Sequence, residues 1–86
     1  MNCSVNIGHG VAIEPRWRNG VLEGVAIDHY VPGPGRELHA QWIPCKPYRE
    51  DGWDVISGEP LTLAPSIACK RCAWHGYIRG GRWKPA

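Results

Sequence analysis

The sequence predicts an all-β fold, β-dominated and built from short strands and hairpins, and three observations lead there. Eleven glycines and eight prolines make up about a fifth of the 86 residues. The longest run free of both spans ten residues, 66–75, shorter than the mean helix of about 11–12, so there is almost nowhere to place one. Val, Ile, Trp and Tyr are frequent and phenylalanine is absent, a composition suited to a pleated, half-buried surface.

The elements follow in order. Residues 11–14 and 21–31 read as strands around "PRWRNG", in which Asn19-Gly20 signals a tight turn. "PGPGRE" cannot continue a central strand, because its two prolines lack the amide donor, and it reads as a linker. "LHAQWIPC" alternates and resumes the sheet; "KPYREDG" is a polar loop and "WDVIS" a further strand. In "EPLTLAPSI", Leu61 and Leu63 share one face, Thr62 and Ala64 the other, and Pro65 ends the alternation. "WHGYIRGGRWKP" is a hairpin whose Gly-Gly loop suits positive φ at both positions. This divides the chain into an N-terminal hairpin extension with its linker, residues 1–36, and a core of residues 37–86. Trp42, Trp53, Trp74 and Trp83 are expected in the core or on a sheet face.

A chain this short buries a modest apolar core and commonly adds a staple. Four cysteines, Cys3, Cys45, Cys69 and Cys72, offer one. "MNCSVNIGHG" has neither the basic start nor the apolar run of a secretion signal, and no stretch approaches a membrane span, so a reducing, cytosolic setting is expected. There, metal ligation is favoured over disulfides. Cys69-x-x-Cys72 brings two thiolates within reach of one tetrahedral zinc ion across a polar Lys-Arg turn. Without a βαβ context, "CKRC" does not read as a redox dithiol. Cys45 is expected to join from an earlier strand. His39 shares that strand, and strict alternation puts the two on one face, so the expected set is Cys45, Cys69, Cys72 and His39, with His75 as the alternative to His39. Cys3 is read as a bystander, and His9 and His29 as ordinary packed or half-exposed side chains. The net charge of +2 and a loose cluster of Lys70, Arg71, Arg79, Arg82 and Lys84 read as a solvated face rather than a nucleic-acid groove. Five tryptophans leave room for one on a surface that binds a protein partner.

The run "PLTLAPSIACKRCAWHGYIRGGRW", preceded by "LHAQWIPC" and "GWDVIS", resembles a small family of phage and prophage proteins. Its relatives are the BubE-like proteins of bacterial ubiquitin-like conjugation operons. The family pattern joins an upstream His/Cys segment, a P-T-x-S-P-S-[IL] segment, and a Cys shortly before a His, an aromatic, an Ile or Val, an Arg and a glycine turn. The resemblance spans roughly residues 37–84. Ala64 stands where the family often has its first serine, and the upstream segment keeps only His39 and Cys45. For the conjugation-operon branch it implies a serine-type peptidase that trims or removes a ubiquitin-like protein, with Ser66 as nucleophile and His75 as general base. Asp54, Glu59 and Asp28 are candidates to orient the imidazole.

Two functions are therefore carried. The first is a zinc-binding phage accessory protein, a virion or assembly component or a modulator of a host system, located in the bacterial cytoplasm or the virion. In it the zinc is structural. The second is the serine-type hydrolase. A His75 bound to metal cannot also act freely as a base, so the place of that one side chain divides them.

Overall fold

The computed structural model describes residues 4–31 and 37–86. These contain no helix and nine strands: β1 Val5–Gly8, β2 Val11–Arg18, β3 Val21–Tyr30, β4 Leu38–Pro44, β5 Asp54–Gly58, β6 Leu61–Ala64, β7 Ile67–Ala68, β8 His75–Arg79 and β9 Arg82–Pro85. They form three antiparallel sheets, ordered β1-β2-β3-β4, β5-β6 and β7-β8-β9.

The tight turns sit where the glycines predicted them. Asn19 and Gly20 have φ of 51° and 77°, and Gly80 and Gly81 have 58° and 74°, the left-handed pairs that match the twist of two-residue hairpins. The first hairpin is longer than the sequence suggested. β2 continues through Pro15 to Arg18, because β1 pairs only with the Val11–Ile13 end and leaves the proline's amide side unpartnered in the ladder. Most of the proline-rich linker, like Cys3, lies outside the described residues.

Alternation decides the core. Val25, Ile27 and His29 of β3 and His39 and Ile43 of β4 turn to one side of the four-stranded sheet. Leu61, Leu63, Ile67, Ile78 and Trp83 from the smaller sheets join Val25, Ile27 and Ile43 in the apolar cluster. β3 pairs with β4 from Gly24↔Pro44 to Tyr30↔Leu38, so the N-terminal strands and the C-terminal segment share one sheet and one core. Trp83 is buried, Trp53 and Trp74 pack at the edge of the core, and Trp42 lies on the outer sheet face over Gly24.

Candidate active site and metal centre

The register of β7 against β8 places Ser66 and His75. Ala68 lies opposite His75, and Ser66, two residues earlier, is the diagonal neighbour on the same face. Diagonal positions stand about 7–8 Å apart, a gap an imidazole spans. The His75 Nε2 to Ser66 Oγ distance is 2.8 Å, a hydrogen bond of the length expected between a nucleophile and its base. Ile67, fully buried, anchors the chain immediately after Ser66, and the Trp53 indole N–H donates to the Ser66 carbonyl at 3.3 Å. Ser66 opens onto a groove of about 330 Å³ lined by Ile56, residues 62–65, Tyr77 and Arg79.

The three carboxylates considered as orienting partners sit elsewhere. Asp54 pairs with Lys46 at 3.1 Å, Asp28 is the neighbour of His29, and Glu59 is exposed in the β5–β6 turn. Among the described residues no acidic side chain reaches ion-pair distance of His75. Ser66 and His75 form a hydrogen-bonded pair without an acidic third member among the described residues.

A second constellation lies beside it. His29, His39, Cys69 and Cys72 bring one donor atom each to within 4.8 Å of one another. His29 and His39 face each other across β3 and β4, and the thiols come from the loop between β7 and β8. His29 Nε2 is 3.3 Å from Cys72 Sγ, and His39 Nδ1 is 3.4 Å from Cys69 Sγ. Tetrahedral zinc with bonds of about 2.3 Å to sulfur and 2.0–2.1 Å to nitrogen has N···S edges of roughly 3.5 Å, so the donor set fits such an ion. The free nitrogen of His39 points to Glu37 Oε1 at 3.5 Å, and the Arg71 guanidinium meets that same oxygen at 3.4 Å. A carboxylate behind a ligating imidazole is the usual outer partner of a metal centre.

The electrostatics agree. Burial pushes the Cys69 thiol up, but the Arg71 amide together with His39 and Cys72 outweighs it and brings the thiol down to about 7. Burial, then the neighbouring His39, lowers the His29 pKa against the opposing pull of Asp28. Both directions favour the metal-ready forms, a thiolate and a neutral imidazole. Above the centre His29 stacks on Trp74 with ring centroids 3.9 Å apart, and Trp74 stacks on Trp83 at 4.1 Å.

Of the expected ligands, the structure gathers His39, Cys69 and Cys72, and puts His29 where Cys45 was expected. Cys45 does turn to the same side of the sheet as His39. However, six residues at about 3.3 Å each carry it roughly 20 Å along the strand. There it is fully buried in the apolar core, its thiol directed at the Ile43 carbonyl, and burial raises its pKa to about 11. His75 is not in the cluster. The signal for His29 was available: His29 and His39 are equidistant in sequence from residue 34, so any symmetric hairpin about that loop pairs them.

The model of the family described as BubE, bacterial ubiquitination-like system serine protease, matches residues 29–86. No curated protein and no solved structure matches the chain. The matched segment opens on His29 and contains all four clustered donors and the Ser66–His75 pair. This chain belongs to the BubE family.

Proposed function

We propose that this protein is a serine-type peptidase acting on the tail of a ubiquitin-like or other protein, with Ser66 as nucleophile and His75 as its base. The observation that carries the reading is the 2.8 Å contact between Ser66 Oγ and His75 Nε2 at the end of an open groove. His75 stands outside the metal cluster, so its imidazole is available for proton transfer.

In this mechanism Ser66 Oγ attacks the substrate carbonyl carbon while His75 Nε2 takes the hydroxyl proton. The imidazolium then gives that proton to the departing amine, and the acyl group stays on Ser66. Water, deprotonated by the same imidazole, releases it as a carboxylic acid and restores the serine. The groove is shallow and bordered by strands, a shape suited to an extended chain end.

The metal centre has a different task. Four protein donors fill a tetrahedral ion and leave no position for substrate, so His29, His39, Cys69 and Cys72 would hold zinc as a structural staple. It ties β3 and β4 to the loop before β8, and β8 carries His75.

The accessory-protein reading, in a phage or its bacterial host, keeps the same staple and leaves Ser66 idle. It draws support from Trp17, Leu38 and Trp42, large apolar side chains exposed for a protein partner. A fluorophosphonate probe separates the two. Labelling of the wild type that is lost in Ser66→Ala supports the peptidase; an unlabelled, folded wild type leaves the accessory protein.

A further inference from the structure

β8 turns His75, Tyr77 and Arg79 outward, with Gly76 and Ile78 buried between them. The β7–β8 register, continued by one residue, sets Ser66 opposite Tyr77, so at about 3.3 Å per residue Arg79 stands roughly 7 Å farther along the strand. Ser66 and Arg79 line the same groove, and no other charged side chain lines it. The Arg79 guanidinium lies 4.1 Å over the Tyr77 ring. Arg16, Arg18, Arg49 and Arg71 each pair with an acidic side chain, whereas Arg79, among the described residues, has none. Stacking holds a guanidinium plane in place while leaving its N–H edges for a bidentate acceptor.

Much of the remaining lining is apolar. Ile56 falls at a register shift in β5, between the pairs Val55↔Leu63 and Ser57↔Thr62. Such bulges re-aim a side chain, and Ile56 is 65% exposed while lining the groove. A large aliphatic side chain held in water beside a nucleophile is placed to meet a ligand.

We infer that the groove selects an extended peptide bearing a carboxylate about two residues from the bond presented to Ser66. Arg79 receives that carboxylate, and Ile56 contacts an apolar side chain between the two points. The scissile bond rests on the peptidase reading above; the acidic preference is a property of the groove and can be measured without turnover. The carboxylate has two sources, an Asp or Glu side chain or the α-carboxylate of a chain end, and the second would make the reaction the trimming of a short tail.

The test uses the full chain as Ser66→Ala, titrated with fluorescent octapeptides of Ala, Gly and Leu and followed by anisotropy. One set carries a single Glu at each position in turn with an amidated end; a second replaces Glu with Gln; a third has no Glu and a free α-carboxylate. The expected result is at least about tenfold tighter binding of one Glu position or of the free end, as a charge-assisted bidentate contact gives. Arg79→Gln in the same background should abolish that preference, and Arg79→Lys should restore part of it. Preference for the free end alone supports the α-carboxylate source, and preference for one internal Glu the side chain. Equal binding of all three sets, or a preference that survives Arg79→Gln, overturns the inference. Fluorophosphonate labelling of the wild type is read alongside. Labelling without acidic preference removes the Arg79 role and keeps the peptidase; acidic preference without labelling keeps the Arg79 role and removes the peptidase.

Discussion

His29 and His39 are directly opposed residues on neighbouring strands, their rings set edge to face with centroids 5.4 Å apart. Both are buried, and each presents a nitrogen to a different cysteine of the Cys69–Cys72 turn. Two buried imidazoles so close to two thiols form a donor set that could hold a metal ion. The β3–β4 ladder thus does more than pair strands: it sets two imidazole donors side by side, facing the Cys69–Cys72 turn.

One equivalent of zinc should bind the wild-type chain, and stoichiometric binding should be lost in His29→Ala. Cys45→Ala should still bind one equivalent. Elemental analysis after gel filtration reads both. A wild-type ratio retained by His29→Ala, or lost with Cys45→Ala, would return the fourth ligand to Cys45. Because such ions contribute folding energy outright, chelation should lower the melting temperature by well over the roughly 4–8 °C that 1 kcal/mol is worth in a domain of this size.

Glu37 stands behind His39, and Glu37→Gln removes its charge with little change in shape. Zinc affinity in a competition titration with a chromophoric chelator should fall about 10–100-fold, the usual cost of losing an outer partner. An unchanged affinity would show that the 3.5 Å approach of these groups does not tune the ligand.

Cys45 supplies a pH prediction of definite sign. Burial raises its pKa from 9.0 to about 11, so the folded state holds the thiol proton that the unfolded chain releases first. Its contribution is therefore complete below pH 9 and is lost as pH rises toward 11, by about 2–3 kcal/mol at most. Urea midpoints for wild type and Cys45→Ala should converge across that interval. Parallel curves would mean that the thiol ionises at its ordinary value.

Much of this arrangement is legible in the sequence because it depends on local rules. Asn19-Gly20 and Gly80-Gly81 announced their hairpins, and Leu61 and Leu63 announced a buried face, since turn chemistry and period-two alternation act over a few residues. The Ser66–His75 pairing came from family resemblance; the diagonal of β7 and β8 is its physical basis. Three of the four clustered donors, His39, Cys69 and Cys72, are readable. Alternation says which side of a sheet a residue faces but nothing of how far along the strand it lies, which is why Cys45 was grouped with His39. Nor does alternation alone reveal that His29 lies opposite His39; that pairing follows from their equal spacing about residue 34 and is held by the ladder from Gly24 to Tyr30.

For the Ser–His pair, Ser66→Ala should reduce hydrolysis of a ubiquitin-like protein fused to a cleavable tail by about 10³-fold or more. His75→Gln should cost about 10²–10⁴-fold, the usual contribution of a general base. Both should bind zinc as the wild type does, since neither side chain belongs to the cluster. Zinc lost with His75→Gln would move His75 onto the metal and end the base assignment.

Gly76 connects the two sites. It follows His75 on β8 and is buried, and a Cβ there would run into the Trp83 indole and come within 2.6 Å of the Lys84 carbonyl oxygen. The indole cannot simply swing aside, because Trp83 stacks on Trp74 and Trp74 on His29. The backbone oxygen cannot yield without opening the β8–β9 ladder, in which Gly76 pairs with Pro85 and Tyr77 with Lys84. Gly76→Ala should therefore cost about 1–3 kcal/mol, the usual range for overpacking, or a melting point lowered by roughly 4 °C or more. Displacement along the ring column should weaken zinc binding, and displacement of β8 should lengthen the contact from His75 to Ser66. Arg82→Ala, an exposed change on the same hairpin, should stay within about 0.5 kcal/mol. Calorimetry and zinc titration on the two variants check this, and a Gly76→Ala chain as stable as Arg82→Ala would show that the hairpin accommodates the methyl group without disturbing either site.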